Sequence, residues 1–153
     1  MSESGTRDAT PAERDAARQL LAAAKYLKDA EDADAFAEVW AEGASLAIRS
    51  NGTEIGPFTG RAAIMEFYAG NWARAAHGAG AGRETHVCEN PYIVGLADGQ
   101  LRAIHSAMFA AMDGDIPVLI GFAEFRDVLT QEQGRWRILS RFSQIRRIKR
   151  PPA

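Results

Sequence analysis

The chain has one cysteine, Cys88, so no disulfide can close within it. No apolar run approaches the ~20 residues a membrane-crossing helix needs, and the polar stretch Met1 to Asp8 lacks the apolar core of a secretion signal. Charge is not one-sided: 18 Lys and Arg against 20 Asp and Glu leave a net charge of -2, which offers no broad surface for nucleic acid or anionic lipid. The 3 histidines have neither helical i, i+4 nor strand i, i+2 spacing, so no metal site is expected. These absences point to a cytoplasmic protein with no metal, no membrane partner and no nucleic-acid partner. Asn51-Gly52-Thr53 has the form of a glycosylation sequon, but without a secretion signal it reads as a turn.

What is present suits one domain, since 153 residues at 46% hydrophobic content can bury a single core. Residues 1–9 read as a disordered tail, 10–148 as the domain and 149–153 as a basic tail, with Arg146, Arg147, Lys149 and Arg150 before Pro151-Pro152. Thr10-Pro11-Ala12-Glu13 is a capping box with proline in the first turn, and Ala17, Leu20, Leu21, Ala24 and Leu27 follow at helical spacing. Asp32 is placed to cap a second helix carrying Phe36, Val39 and Trp40 on one face. A short strand, Ser45 to Ser50, precedes the hairpin turn Asn51-Gly52, and a third helix starts near Gly60 with Ile64, Phe67, Tyr68 and Trp72 as its stripe. The Gly- and Ala-rich stretch from His77 to Gly82 reads as a flexible loop, not a phosphate cradle, because it lacks the preceding strand and the lysine.

Turn signals at Asp98-Gly99, Asp113-Gly114 and Gln133-Gly134 then divide four strands, roughly 84–95, 100–112, 116–129 and 135–148. The order helix, helix, hairpin, helix, meander is that of an α+β domain with helices gathered on one sheet face.

The stretch Phe125-Arg126-Asp127, then Gly134, Trp136, Ile138 and Arg141, resembles the closing hairpin of the SnoaL-like branch of the nuclear-transport-factor-like superfamily. Asp32-Ala33-Asp34-Ala35-Phe36 with Trp40 is similar to that family's second helix, and Gly60-Arg61 with Ile64 to the start of its third. The resemblance spans roughly residues 17–148. It implies a cone-shaped α+β barrel, three helices on a curved antiparallel sheet, enclosing a deep pocket, commonly in a homodimer. It also implies a membership of cofactor-independent dehydratases, isomerases, cyclases and epoxide hydrolases beside non-catalytic members. Asp29 matches the family's helical acid. A tyrosine common in the first helix is replaced by Ala24, with Tyr26 nearby, and an acid after the second helix by Gly43.

If Asp98-Gly99 and Asp113-Gly114 are two-residue turns, Tyr92 lies opposite His105 and His105 opposite Phe122. A chosen register for the last hairpin sets Phe142 beside Phe122. Alternation of side chains then gathers His86, Cys88, Asn90, Tyr92, His105, Phe122, Glu124, Trp136, Ile138, Ser140, Phe142 and Gln144 on one mostly apolar face, with the make-up of a ligand pocket. The other face carries Ile104, Met108, Leu119, Phe125 and Leu139 beside Arg135, Arg137 and Arg141, which reads as a homodimer surface.

On that register His105 and Glu124 are diagonal neighbours, and a carboxylate beside imidazole makes a proton-transfer pair. His86 falls about 20 Å from His105 along an extended strand, so the two do not form a dyad. Asp29 or His86 would polarise a substrate oxygen, while Trp40, Phe67, Trp72, Asn90, Tyr92, Phe122, Ser140 and Phe142 would line the pocket. Each has an ordinary structural reading: a hydrogen-bonded core histidine, a surface ion pair, a solvated turn acid, aromatic core. Cys88 reads as a small buried side chain. Three functions fit: a cofactor-independent acid–base enzyme on a small apolar or aromatic oxygenated ligand, a non-catalytic binding domain, or a dimerisation module with its pocket packed shut.

Overall fold

The structure, a computed structural model, describes residues 5–77 and 84–148. In chain order come β1 (Thr6–Asp8), α1 (Pro11–Asp29), α2 (Ala33–Ala37), β2 (Trp40–Ser50), β3 (Thr53–Thr59) and α3 (Arg61–His77). They are followed by β4 (Thr85–Cys88), β5 (Tyr92–Leu96), β6 (Leu101–Asp113), β7 (Ile116–Glu132) and β8 (Arg135–Arg147).

Local chemistry accounts for the element ends. Thr10 accepts from the Glu13 amide while the Glu13 carboxylate accepts from the Thr10 amide, and Pro11 opens α1. Asp32 caps α2 by accepting from the Ala35 amide. Asn51 and Gly52, like Gln133 and Gly134, all have positive φ, the backbone of the tight turn whose twist matches a hairpin. Contrary to expectation, α2 stops at Ala37 and the chain is already extended at Trp40. Residues 6–8, assigned to a tail, instead form an edge strand on β5. The His77 to Gly82 loop lies largely outside the described residues, as does the 149–153 tail.

The strands form one mixed sheet in the order β1-β5-β6-β7-β8-β2-β3, with β4 beside β5 along the same edge of β6. It differs from the expected antiparallel barrel in two ways: β2 and β8 run parallel, and β1 and β3 are unjoined ends, so the sheet is open. The strand expected over 84–95 breaks at Glu89-Asn90-Pro91, where proline has no amide to donate. The core sits between helices and sheet: Leu21, Phe36 and Ile64 pack with Trp40, Leu101, Leu129 and Ile138.

Three register details decide which side chains face the helices. The loop after β5 has three residues, Ala97-Asp98-Gly99, with Gly99 at positive φ, so Tyr92 pairs with Ile104 rather than His105. Between β6 and β7 the loop is Gly114-Asp115, and a bulge lies between Phe109 and Ala110. His105 therefore pairs with Phe125, three positions from Phe122. The loop displacement of two positions preserves the side-chain face; the bulge adds one and reverses it. Gly121 stands at this bulge, where a Cβ would come within 2.5 Å of the Arg146 carbonyl oxygen. Phe142 pairs with Arg126, not Phe122.

Candidate acid–base site

The helix-facing side of β6, β7 and β8 carries His105, Asp127 and Arg141 on successive strands. Asp127 is directly opposite Arg141 and opposite Ala103, two residues from His105. His105 Nε2 lies 2.9 Å from Asp127 Oδ2, while Arg141 Nε and Nη2 donate to the two carboxylate oxygens at 2.7 Å each. The His105 and Asp127 side chains have 0% exposure and Arg141 has 6%, its remaining surface facing the larger of two clefts. Phe125 stacks on the His105 ring at 5.0 Å, and the Arg141 guanidinium lies 4.9 Å from the centroid of that Phe125 ring.

Burial would raise the Asp127 pKa, but the charge and hydrogen bonds of Arg141 outweigh it and hold the carboxyl below its ordinary range. Burial depresses the His105 pKa against the opposing pull of Asp127, so the ring is neutral near pH 7. An ionised carboxylate only accepts hydrogen bonds. The single proton of His105 therefore sits on Nε2, and Nδ1 presents a lone pair. That atom is buried and has no hydrogen-bond partner.

A second pair lies where α1 ends against β4. Asp29 Oδ1 is 2.7 Å from His86 Nδ1, and Oδ2 accepts the His86 amide at 2.9 Å. Lys28 Nζ stands 3.7 Å from the same carboxylate. Burial lowers the His86 pKa despite Asp29, so this ring too is neutral, donates from Nδ1 and leaves Nε2 for proton exchange. Burial would raise Asp29, but its hydrogen bonds from His86 prevail and lower it. His86 pairs with Phe109 and meets that ring edge-on at 4.5 Å. His105 is four residues along the same strand, about 13 Å of extended chain. The separation is shorter than expected because the three-residue loop after β5 moves the pairing by one position and the break between β5 and β4 by one more.

A cleft of about 680 Å³ lies between α1 and the β4 edge, lined by His86, Lys25, Cys88 and Asn90, with His105 in its wall and the His105 side chain enclosed. A neighbouring cleft of about 840 Å³ shares Lys25, Asp29, Glu84 and His86 with it and has Phe67, Tyr68 and Trp72 as an aromatic wall. Burial raises the Tyr68 pKa, so its phenol keeps the proton and serves as a donor. The Trp72 indole N–H is buried and unpartnered. The concave side is thus more charged than the apolar face expected from sequence. Among the described residues, no three His, Cys, Asp or Glu side chains gather as a metal site.

Several expectations are corrected by the strand registers and by burial. Glu124 faces outward, pairs in register with Ser106, and receives Arg126 Nε at 2.9 Å; Asp127 takes the place assigned to it beside His105. Phe122 and Tyr92 are exposed at 50% and 66%, and Ser140, Phe142 and Gln144 alternate with the inward Arg141 and Ser143. Trp40 is enclosed in the core, whereas Phe67 and Trp72 line the larger cleft. Cys88 is exposed rather than buried. Phe125 and Arg141, assigned to the outer face, point inward, and Arg137 is buried with Nη2 2.9 Å from Glu38. The groups that reasoning missed as site residues are Asp127, Arg141, Tyr68 and Lys25. The signals available were Gly121, a glycine inside a strand, and the position of Lys25 one helical turn before Asp29.

The SnoaL-like domain model matches residues 9–141. No curated protein matches the chain. Among solved structures, Aln2 from a Streptomyces species is similar, with a TM-score of 0.75 at 21% identity over 90% of this chain and 94% of that one. A Catenulispora acidiphila structure in complex with S-DNPA has a TM-score of 0.73 at 18% identity, covering 89% and 95%. An NTF2-like protein with a cystatin-like fold from Novosphingobium aromaticivorans has a TM-score of 0.70 at 22% identity, covering 86% and 80%.

Proposed function

The chain belongs to the SnoaL-like domain family, and we propose that its clefts house a cofactor-independent acid–base enzyme acting on a small, largely apolar, oxygenated compound. The observation that carries this reading is the neutral His105, held through Nε2 by Asp127 with its Nδ1 lone pair unpartnered. A buried polar atom without a partner costs roughly 1–3 kcal/mol, and a ligand hydroxyl or acidic C–H at that point supplies the missing proton. His105 takes this proton at Nδ1, and Asp127 stabilises the imidazolium that forms. Tyr68 donates to a carbonyl or hydroxyl oxygen of the same molecule, whose apolar body lies along Phe67 and Trp72. His86, oriented by Asp29, exchanges a proton at the other end. Dehydration, isomerisation, cyclisation and hydrolysis all use this equipment. The C. acidiphila neighbour, solved with S-DNPA, supports the use of such a fold for holding a compound.

The test is a turnover screen by mass spectrometry on hydroxylated and epoxide-bearing aromatic compounds, with binding measured in parallel. His105→Gln should lower turnover by about 100-fold or more while a bound compound stays bound. Binding without turnover of any compound by the unaltered protein would replace the enzyme with a ligand-binding domain.

The outer face also supports a homodimer. Val87, Met108 and Phe122 pair across three adjacent strands and are 51%, 41% and 50% exposed, a row that a second copy would cover. Light scattering at dilute concentration tests this; a monomer mass would end that reading.

A further inference from the structure

His86, Phe109, Gly121 and Arg147 stand in register across β4, β6, β7 and β8. Two strands separate β4 from β8, roughly 14 Å at the usual strand spacing. The Arg147 side chain nevertheless reaches the β4 end of the row. Its Nη1 and Nη2 donate to the Glu84 carboxylate at 2.6 and 3.1 Å. Its guanidinium lies 5.5 Å from the centroid of Phe109, the ring that His86 meets edge-on at 4.5 Å. Gly121 has no side chain to obstruct this crossing, and a Cβ there would come within 3.2 Å of the Arg147 Cα. Asn51 fixes the root of the arm: its Oδ1 accepts the Arg147 amide at 2.9 Å, and its Nδ2 donates to the Arg147 carbonyl at 3.4 Å.

Glu84 directly precedes β4 and is two residues from His86, so an extended chain sets the two side chains on one side, about 7 Å apart. Both line both clefts. A glutamate can bridge that distance, and His86 Nε2 has no hydrogen-bond partner among the described residues. Glu84 is turned to Arg147 instead. Burial would raise the Glu84 pKa, but the hydrogen bonds and charge of Arg147 prevail and lower it. The other charged groups around the ring are placed differently. From α1, Lys28 and Asp29 stand 3.7 Å apart, and Asp29 holds Nδ1. Cys88 follows on the same strand, Lys25, Glu31 and Arg74 stand in the cleft walls, and β6 presents the uncharged Phe109 with His105 four positions on. Glu84 is thus the carboxylate placed to compete with Asp29 for the ring, and Arg147 is the cation that occupies it.

We propose that Arg147 is a positioning residue: reaching across the sheet to Glu84, it holds that carboxylate away from His86 and leaves Nε2 open to the clefts. Asp29 then orients the ring through Nδ1 with no second carboxylate on the other nitrogen. This deepens the reading of His86 as a proton-exchanging group and rests on it. Without Arg147, Glu84 turns to the ring and accepts from Nε2. The ring becomes an imidazolium held at both nitrogens, with no lone pair left to take a proton from a ligand.

Nitrogen NMR titration of His86 tests this in a double-mutant cycle. Arg147→Met keeps the apolar stem over Phe109, and the 43% exposed side chain should be lost without unfolding, which circular dichroism verifies. Arg147→Gln takes its place should the methionine variant not fold. The His86 titration should rise by about 0.5 pH unit or more in Arg147→Met. Glu84→Gln should lower it in both backgrounds, but at least about twice as far where Arg147 is missing, because only there does the carboxylate sit on the ring. An equal drop in both backgrounds, or a titration unmoved by Arg147→Met, would overturn the positioning role. With any compound that is turned over, Arg147→Met should lower kcat more than it changes KM, and adding Glu84→Gln should restore kcat. A tie of purely structural value would not be restored by losing its other half. Absence of turnover by the unaltered protein would remove the reading of His86 as a proton-exchanging group, while the NMR cycle still decides whether Arg147 keeps Glu84 from the ring.

Discussion

Arg141 grips Asp127 by two parallel hydrogen bonds of 2.7 Å, with the carboxylate fully buried and the guanidinium nearly so. The pair is the anchor of the site: it fixes the carboxylate that in turn fixes the His105 tautomer. A planar two-point contact of this kind leaves little freedom for the carboxylate to rotate.

Removing one side of this pair should be far worse than removing both. Asp127→Asn strands a buried guanidinium and should cost about 3–5 kcal/mol of stability. Joint replacement, Asp127→Leu with Arg141→Met, leaves no buried charge and should recover most of that loss while abolishing the ordering of His105. Urea unfolding of the three proteins decides it. A single-variant loss below about 1 kcal/mol would show that water reaches Arg141 after all.

The depressed histidine pKa values set a pH dependence. In the unfolded chain each imidazole titrates near 6.5, whereas His86 and His105 hold their protons less tightly when buried. Below pH 6.5 the unfolded state therefore binds more protons, and the stability these rings contribute, present in full above that value, is lost as pH falls toward their native pKa values. Unfolding free energy should drop on going from pH 7.5 to pH 5.5. His105→Gln should flatten that slope. An unchanged slope in the variant would remove His105 as its source.

Asp29 should act on His86 and on nothing farther away. Its carboxylate raises the His86 pKa against burial, so Asp29→Asn should shift the His86 titration downward. Nitrogen NMR of the imidazole rings reads both histidines in one experiment. His105, four strand positions away with its own carboxylate, should move little; an equal shift of both rings would mean they titrate as one unit.

Glu124→Gln is the matching control. Its side chain is 43% exposed and bonded to the 62% exposed Arg126, the setting of a surface pair worth at most about 1 kcal/mol. The variant should unfold within about 0.5 kcal/mol of the parent and leave the His105 titration where it was. A displaced His105 titration would place Glu124 on the inner face and contradict the β6–β7 register.

Elements governed by nearest neighbours were legible before any fold was known. The Thr10 capping box, the Asp32 cap, the Asn51-Gly52 turn and the helical stripe through Ile64 and Trp72 depend on a few adjacent residues, and all stand where their chemistry places them. The α+β class and the meander follow from those signals in order. His105 reached the inner face and Asp29 the cleft, the latter through resemblance to the family's helical acid.

Which carboxylate meets His105 was settled elsewhere, by the bulge between Phe109 and Ala110. Side chains alternate along a strand, so the extra residue turns Glu124, Phe122 and Phe142 outward and, added to the two-position loop displacement, brings Asp127 beside His105. Nothing within a few residues dictates that choice. Gly121 permits the bulge because its backbone passes close to Arg146, a residue of the next strand, and Arg141 favours it by offering a buried charge that Asp127 must match. The pairing of Asp29 with His86, 57 residues apart, has the same origin. Caps and turns are written in local sequence, whereas register and the burial of charge are selected only when distant strands and helices pack together.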